Sequence, residues 1–397
     1  MTALRSLPTQ VGLLAALQAL RLTNGVTMVA VNGLVGLSLA DEKWLATLPV
    51  TAYVFGGAVW AMPAAAVMRR YGRRFGYTVG SLAAVVGAVI AWWAMSLGSL
   101  SLLCFGVFFA GLYNAFGASV RFAAADVADV YRPSFRARAM SLVLAGGIMG
   151  GIVGPETAKW SRTWLPTEFS GTYVTLIGFA IASLLIAQLI RLPDGGGAHE
   201  NDEPVRPLFV LVRQPACLVA ILCAALSYGV MNLLMVATPI AMQDHHHAFG
   251  DAAFVIEWHV IGMFAPGLIT GSLITRFGVL RIIQVGAALN VACVAIALTG
   301  VQLMHFLGAL FLLGVGWNFM YTGGSTLLTT VYLPSEKNRV QGAMDAAVFS
   351  TMIVSSASSG ALMHTSGWSA LNLIALPFVV LVLVAAWWLD RADQSAA

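Results

Sequence analysis

Two pairs of residues with soft donor atoms lie near the middle of the chain, and the members of each pair are four residues apart. Met231 and Met235 lie in "MNLLM", and His259 and Met263 lie in "HVIGM". Residues four apart share one face of an α-helix, so each pair would present two ligands in the same direction. Thioether sulfurs select Cu(I) over hard cations, and imidazole binds copper and other transition ions. The two pairs therefore predict a soft-metal site, provided that the helices carrying them lie side by side.

The same residues also fit ordinary apolar packing. The chain has 16 methionines, enough for a pair at this spacing to arise by chance, and methionine is a common gap-filler in apolar packing. A histidine within a membrane span is costly unless it faces the bundle interior, so His259 is the stronger indication of function. From the residues alone, a metal site and a packed helix face both remain open.

The composition decides what kind of protein must position these residues. Of 397 residues, 59% are hydrophobic and 10% are charged, whereas a soluble domain carries about 25% charged residues. A polytopic membrane protein in the lipid bilayer is the class that fits. The net charge of +4 is spread over short segments between apolar runs and does not indicate nucleic acid. We find no nucleotide-binding motif, catalytic constellation or CxxC pair, so we expect neither an enzyme nor an ATP-driven pump.

Apolar runs long enough to span a bilayer, at about 20 residues each, number twelve. They begin near residues 11, 44, 75, 99, 136, 170, 215, 252, 280, 303, 338 and 367. The polar stretch 191–214 separates the sixth run from the seventh. We therefore predict an all-α membrane protein with two six-helix bundles, at residues 1–190 and 215–397, and a cytoplasmic linker between them.

The basic residues orient the predicted spans. With both termini cytoplasmic, 16 Lys and Arg residues fall in cytoplasmic segments and three in outer segments. This asymmetry favours that orientation, in the inner membrane of a bacterium.

The two halves resemble each other, and both resemble the major facilitator superfamily. "VYRPSFRAR" after the fourth span matches "VYLPSEKNR" after the tenth, and "RYGRRFGYTVG" matches "RFGVLRIIQVG". "AAVMRRYGRR" and "GSLITRFGVLR" are similar to that superfamily's loop signature, Gly-x-x-x-Asp-Arg-x-Gly-Arg-Arg, with Arg69 and Thr275 at the acidic position. The resemblance implies two pseudo-symmetric bundles and transport by alternating access. "GGIMGGIVGP" resembles a glycine-rich motif of antiporters, and we interpret it as a helix-packing feature.

A narrower resemblance concerns the soft donors. The CcoA-type copper importers of that superfamily carry Met-x-x-x-Met on helix seven and His-x-x-x-Met on helix eight, as this chain does. Helix ends near residues 243 and 252 would put the two pairs level, at about 10–18 Å depth. The resemblance implies copper import for cytochrome oxidase assembly, with Met231, Met235, His259 and Met263 holding copper as the transported substrate and no resident cofactor. Periplasmic and cytoplasmic copper chaperones would be partners, and the carrier would act as a monomer.

Other polar residues receive weaker predictions. His245, His246 and His247 fall in a predicted outer loop, where they could relay metal inward or simply be solvated. Arg21, Asp345 and Glu257 are candidates for gating or proton coupling, although structural ion pairs explain intramembrane charges as well. Asn114 and Asn318 occupy equivalent places in the fourth and tenth spans, and we expect them to form hydrogen bonds between helices.

The alternative function is a carrier for a small organic molecule, by riboflavin-like vitamin uptake or drug efflux. Riboflavin carriers are related to the copper group that the chain resembles. In that case the Met and His pairs are packing, and tryptophans could line an apolar cavity, namely Trp44, Trp60, Trp92, Trp93, Trp258 and Trp317.

Overall fold

A computed structural model describes residues 7–132, 135–192, 206–333 and 336–396. Within these ranges the regular elements are helices, including one 3-10 turn at Lys43–Leu45. The α-helices are α1 (Leu7–Leu39), α2 (Leu48–Tyr71), α3 (Arg73–Leu97), α4 (Leu100–Gly117), α5 (Val120–Tyr131), α6 (Arg136–Ser161), α7 (Ser170–Leu189), α8 (Leu208–Val212), α9 (Pro215–Asp244), α10 (Phe249–Phe264), α11 (Gly267–Phe277), α12 (Val279–Thr299), α13 (Leu303–Leu328) and α14 (Lys337–Ala396).

Apolar composition and length make most of these helices candidate membrane spans. Among the described residues, nine segments are long and apolar enough to cross a membrane, and α10 with α11 form a tenth span bent by 42°. Helix α14 contains two helical segments, because the backbone leaves helical geometry at Gly367 (φ 75°, ψ 178°). Helix α6, of 26 residues, coincides with the fifth predicted span. The prediction of an all-α membrane protein is confirmed.

The described chain divides into two compact units. The first comprises the described residues up to Leu192 together with Ala248–Glu257, and the second comprises Arg206–His247 and the residues from Trp258 onward. Most of the predicted linker, residues 193–205, lies outside the described ranges, and the boundaries that we placed at 190 and 215 stay predictions.

In the first unit, the glycine-rich motif is a close helix-packing surface. Gly146, Gly150 and Gly154 are spaced one turn apart on α6 and lie against α1. A Cβ atom on Gly150 would stand 2.7 Å from the backbone nitrogen of Thr23. Such a contact with rigid backbone cannot be relieved by a side-chain rotation, so the two helices approach this closely only because the residue is glycine.

This packing yields a stability prediction. We expect Gly150→Ala to lower the melting temperature of the purified protein, because overpacking of a tight contact costs about 1–3 kcal/mol. Gly178→Ala on α7 is the matched control, since nothing lies within 4 Å of a Cβ atom there. Equal melting temperatures for both variants in a detergent thermal-shift measurement would show that α6 and α1 are not in close contact.

The repeated loop signature has the same backbone role in each unit. Gly72 separates α2 from α3 at φ 84°, and Gly278 separates α11 from α12 at φ 91°. Positive φ is easily adopted only by glycine, which accounts for this residue in both copies. In the first unit the signature's Arg73 forms an ion pair with Asp126 of α5, with 2.6 Å between nitrogen and oxygen.

In the second unit, hydrogen bonds fix α9 against α14. The side-chain amide of Asn232 donates to the carbonyl oxygen of Met352 (3.1 Å), and the hydroxyl of Ser359 donates to the carbonyl oxygen of Leu233 (2.9 Å). The hydroxyl of Thr351 lies 2.9 Å from the carbonyl oxygen of Ala225. These side-chain-to-backbone contacts set the rotation of α9, and therefore which of its residues can face α13.

Candidate functional site

The span formed by α10 and α11 is broken, and the break has a defined chemical cause. Pro266 has no backbone N–H to donate to Gly262, and its ring is incompatible with that carbonyl group in a continuous helix. The carbonyl oxygen of Met263 accepts a hydrogen bond from Nδ2 of Asn318 on α13 (2.7 Å). The hydroxyl of Thr270 lies 2.7 Å from both Oδ1 of Asn318 and the carbonyl oxygen of Pro266. Asn318 and Thr270 therefore satisfy backbone groups at the break and hold its geometry.

Four aromatic side chains meet beside this break, and we call them the aromatic cluster: Tyr228, Phe264, Trp317 and Tyr321. Trp317 and Tyr321, one turn apart on α13, are stacked, with ring centroids 5.3 Å apart and 9° between the planes. Tyr228 of α9 meets both rings edge to face, at 4.9 and 4.8 Å. Phe264, the last residue of α10, lies 6.4 Å from Trp317. The cluster joins three helices at the point where one of them bends.

Burial distinguishes the members of the aromatic cluster. Trp317 is 5% exposed, and its Nε1 has no hydrogen-bond partner within the described part of the chain. Tyr228, Phe264 and Tyr321 are half-buried. Trp317 is thus the buried member of the cluster, whereas the other three rings retain accessible surface. Aromatic rings prefer offset-stacked and edge-to-face partners, so a planar aromatic group is a kind of partner that the accessible ring surfaces favour.

The predicted metal ligands are buried in the same unit. Met231, Met235 and Met263 are 3%, 9% and 8% exposed, and His259 is fully buried. The Nδ1 atom of His259 lies 2.6 Å from the carbonyl oxygen of Leu310, so Nδ1–H donates to that oxygen. Across the described residues, no group of three or more His, Cys, Asp or Glu side chains could hold a metal ion. That the four soft donors form one layer stays a prediction.

The three histidines of the predicted outer loop directly follow the C-terminal end of α9. His246 adopts φ 63°, and the backbone N–H of His247 donates to the carbonyl oxygen of Met242 (2.9 Å). The Nε2 atom of His247 lies 2.7 Å from the carbonyl oxygen of Val301, and its ring meets Phe306 edge to face. His247 therefore has a structural contact, and the relay role of His245, His246 and His247 stays a prediction.

The predicted gating residues have different environments. In the first unit, Arg21 donates from Nε to Oε1 of Gln18 (3.2 Å) and from Nη1 to Oδ1 of Asn114. Asp345 is exposed on α14, and Glu257 is half-buried on α10. A role of these three residues in gating or coupling stays a prediction. Asn114 and Asn318 both bond to another helix, as expected.

The apolar helices and the broken span define a multi-pass membrane protein. The family comparison agrees, since the Major Facilitator Superfamily model matches residues 12–229 and 220–397. The chain therefore belongs to the Major Facilitator Superfamily.

Relatives of the chain align with it over nearly its whole length. The chain is 37% identical over 377 residues to a protein named riboflavin transporter RfnT from Brucella anthropi, covering 94% of this chain and 93% of the relative. It is 27% identical to the uncharacterized MFS-type transporter YddS from Bacillus subtilis, covering 93% of this chain and 88% of the relative.

Solved structures of other transporters share the fold. A bacterial homolog of the human lysosomal transporter Spinster, in an inward-facing and occupied conformation, superposes with a TM-score of 0.70 at 15% identity, over 97% of this chain and 96% of the other. The POT family transporter PepTSo gives 0.74 at 11% identity, over 98% of each chain.

The prediction of copper import is wrong. The relative with 37% identity over nearly the full length is named a riboflavin transporter, and the alternative of a small-molecule carrier fits better. The spacing misled because residues four apart also mark a helix face that packs against its neighbours, and thioethers suit such a face without any metal. The copper chaperones were expected as partners only because copper import was predicted.

Proposed function

We propose that the chain is a secondary carrier of riboflavin or a closely similar flavin. The near-full-length similarity to a protein named a riboflavin transporter carries this proposal. Riboflavin combines a planar, conjugated three-ring isoalloxazine with a flexible polyhydroxylated chain. The aromatic cluster is the feature of this chain that suits the ring system.

The chemistry of the aromatic cluster supports a neutral flavin as the substrate. Its four members, Tyr228, Phe264, Trp317 and Tyr321, carry no ionised group at neutral pH. Stacking on aromatic side chains contributes about 1–3 kcal/mol per base in nucleic-acid recognition, and a flavin ring offers comparable π surface. A phosphorylated flavin would bring a charge whose desolvation beside apolar rings is costly. We therefore expect discrimination in favour of riboflavin over its 5′-phosphate.

Growth of a bacterial riboflavin auxotroph tests this function. Cells expressing the chain should grow at riboflavin concentrations that do not support cells with an empty vector. Excess lumiflavin, which has the ring system without the ribityl chain, should suppress this growth advantage, whereas ribitol and riboflavin 5′-phosphate should not. Failure of the chain to support growth, despite its presence in isolated membranes, would contradict the proposal.

A further inference from the structure

Helix α8 exposes an unusual run of apolar side chains in the second unit. Leu208, Phe209 and Val210 are 37%, 60% and 48% exposed, whereas Leu211 is 1% exposed. Leu211 therefore anchors the helix to the protein, and the three preceding side chains point away from it. The helix packs against α9 and α14. Three adjacent apolar side chains exposed to water would be unfavourable, which indicates a nonpolar neighbour outside the protein.

An ion pair with several additional hydrogen bonds fixes the chain just before α8. The guanidinium group of Arg206 binds the carboxylate of Glu336 through two contacts of 2.7 Å, from Nε to Oε1 and from Nη2 to Oε2. The same carboxylate accepts the backbone N–H groups of Arg206 (3.1 Å) and Leu333 (2.9 Å). The hydrogen bonds from Arg206 are the largest cause that lowers the pKa of Glu336, to about 2. The carboxylate thus stays ionised, and the ion pair stays intact, as pH falls to well below neutrality.

The position of α8 and the charge of Arg213, which follows it, identify the neighbour. The apolar span of α9 begins at Pro215, three residues after α8 ends, so α8 can lie no more than about 11 Å from that point. Arg213 is exposed, and its guanidinium carbon lies 3.7 Å above the centre of the Phe209 ring. An arginine beside exposed aromatic and aliphatic side chains matches the boundary between phosphate groups and acyl chains. Lipid is the neighbour that satisfies both the charge and the apolar face.

We propose that α8 is an interfacial helix that recognises anionic phospholipid. Leu208, Phe209 and Val210 enter the acyl region, and the guanidinium group of Arg213 binds the lipid phosphate. The ion pair of Arg206 with Glu336 holds the helix at that depth. This assignment is independent of the transported substrate.

Fluorescence quenching of the full chain in vesicles tests this proposal. An environment-sensitive NBD label is placed at Val210→Cys, and the unmutated chain taken through the same labelling gives the background from the native cysteines. Vesicles contain phosphatidylcholine alone or phosphatidylcholine with phosphatidylglycerol. Quenching by shallow doxyl-labelled lipid reports insertion, and quenching by iodide reports contact with water. Gln243→Cys, an exposed polar position at the other end of α9, is the control that iodide should quench.

We expect lipid quenching at position 210 that increases when phosphatidylglycerol is present. Arg213→Gln should abolish that increase, Arg213→Lys should retain it in part, and Glu336→Gln should reduce insertion in both lipids. High salt should remove the increase in the unmutated helix, a readout that needs no variant at Arg213. Strong iodide quenching at position 210 would overturn the interfacial assignment, and an unchanged increase in Arg213→Gln would overturn the phosphate contact.

Discussion

Replacement of Tyr321 by Leu is expected to raise the KM for riboflavin about tenfold while leaving the amount of protein in the membrane unchanged. Tyr321 is half-buried and stacks on Trp317, so its outer surface can extend that stack to a bound flavin. Loss of one stacking partner should cost about 1–3 kcal/mol, and 1.4 kcal/mol corresponds to tenfold in affinity. Initial rates of labelled riboflavin uptake into cells, measured across substrate concentrations, give the KM.

Two comparisons separate stacking from a general loss of structure. Tyr321→Phe keeps the ring and loses the hydroxyl, so its KM should stay close to that of the unmutated chain. Tyr71→Leu removes an exposed tyrosine of the first unit, outside the aromatic cluster, and should have no effect. If Tyr321→Leu transports riboflavin with an unchanged KM, the aromatic cluster does not bind the substrate.

The second large effect is expected at Asn318, which holds the break between α10 and α11. Asn318→Ala removes the donor to the Met263 carbonyl oxygen and the acceptor near Thr270. A buried polar group left without a partner costs about 1–3 kcal/mol. Phe264 is the last residue of α10 before this break, so the change should disturb the orientation of the aromatic cluster. We therefore expect the maximal rate of riboflavin uptake to fall about tenfold.

Thr270→Val is the matched variant for this prediction. It removes only the hydroxyl and nearly conserves volume, so it should lower the maximal rate less than Asn318→Ala does. A third variant, Thr275→Val, loses only the contact of Thr275 with the carbonyl oxygen of Gly271 in the same helix and should transport normally. Equal, full activity of Asn318→Ala and Thr275→Val would show that the bonds at the break have no role in transport.

The helices could be predicted from the sequence because the hydropathy of a stretch of about 20 residues indicates whether that stretch can span a membrane. Each predicted span coincides with a described helix, with a helix pair or, for the last two, with one segment of α14. The glycines of the loop signature and of α6 have the backbone and packing roles that their type suggests. Asn114 and Asn318 bond to other helices because an amide within a span needs a partner. These features depend on residue type and on spacing along one helix.

The aromatic cluster could not be predicted in the same way. Tyr228, Phe264 and Tyr321 lie far apart in the sequence, and only the packing of α9, α10 and α13 brings them together. Trp317 was expected only as one of six tryptophans that could line a cavity. The signal within the sequence was "FAPG", because a proline inside an apolar run predicts a break in a span, where transporters often bind substrate.

The prediction of copper import was wrong because it rested on a pattern that is local to single helices. Met231 with Met235, and His259 with Met263, form a real local pattern, but helical spacing is shared by ligands and by packed faces. The structure gives His259 a backbone partner at Leu310 and shows that the three methionines are buried. The spacing of these residues therefore could not distinguish a metal-binding helix face from a helix face that only packs against its neighbours.

Direct binding of riboflavin to the purified chain tests the central claim most directly. The intrinsic fluorescence of isoalloxazine is quenched when the ring stacks against tyrosine or tryptophan, so titration of a fixed amount of riboflavin with protein reports contact with the aromatic cluster. We expect saturable quenching by the unmutated chain, relieved by excess lumiflavin and weakened about tenfold in Tyr321→Leu. No quenching by a well-folded preparation, or quenching that is identical in Tyr321→Leu, would contradict the assignment of this cluster as a flavin site.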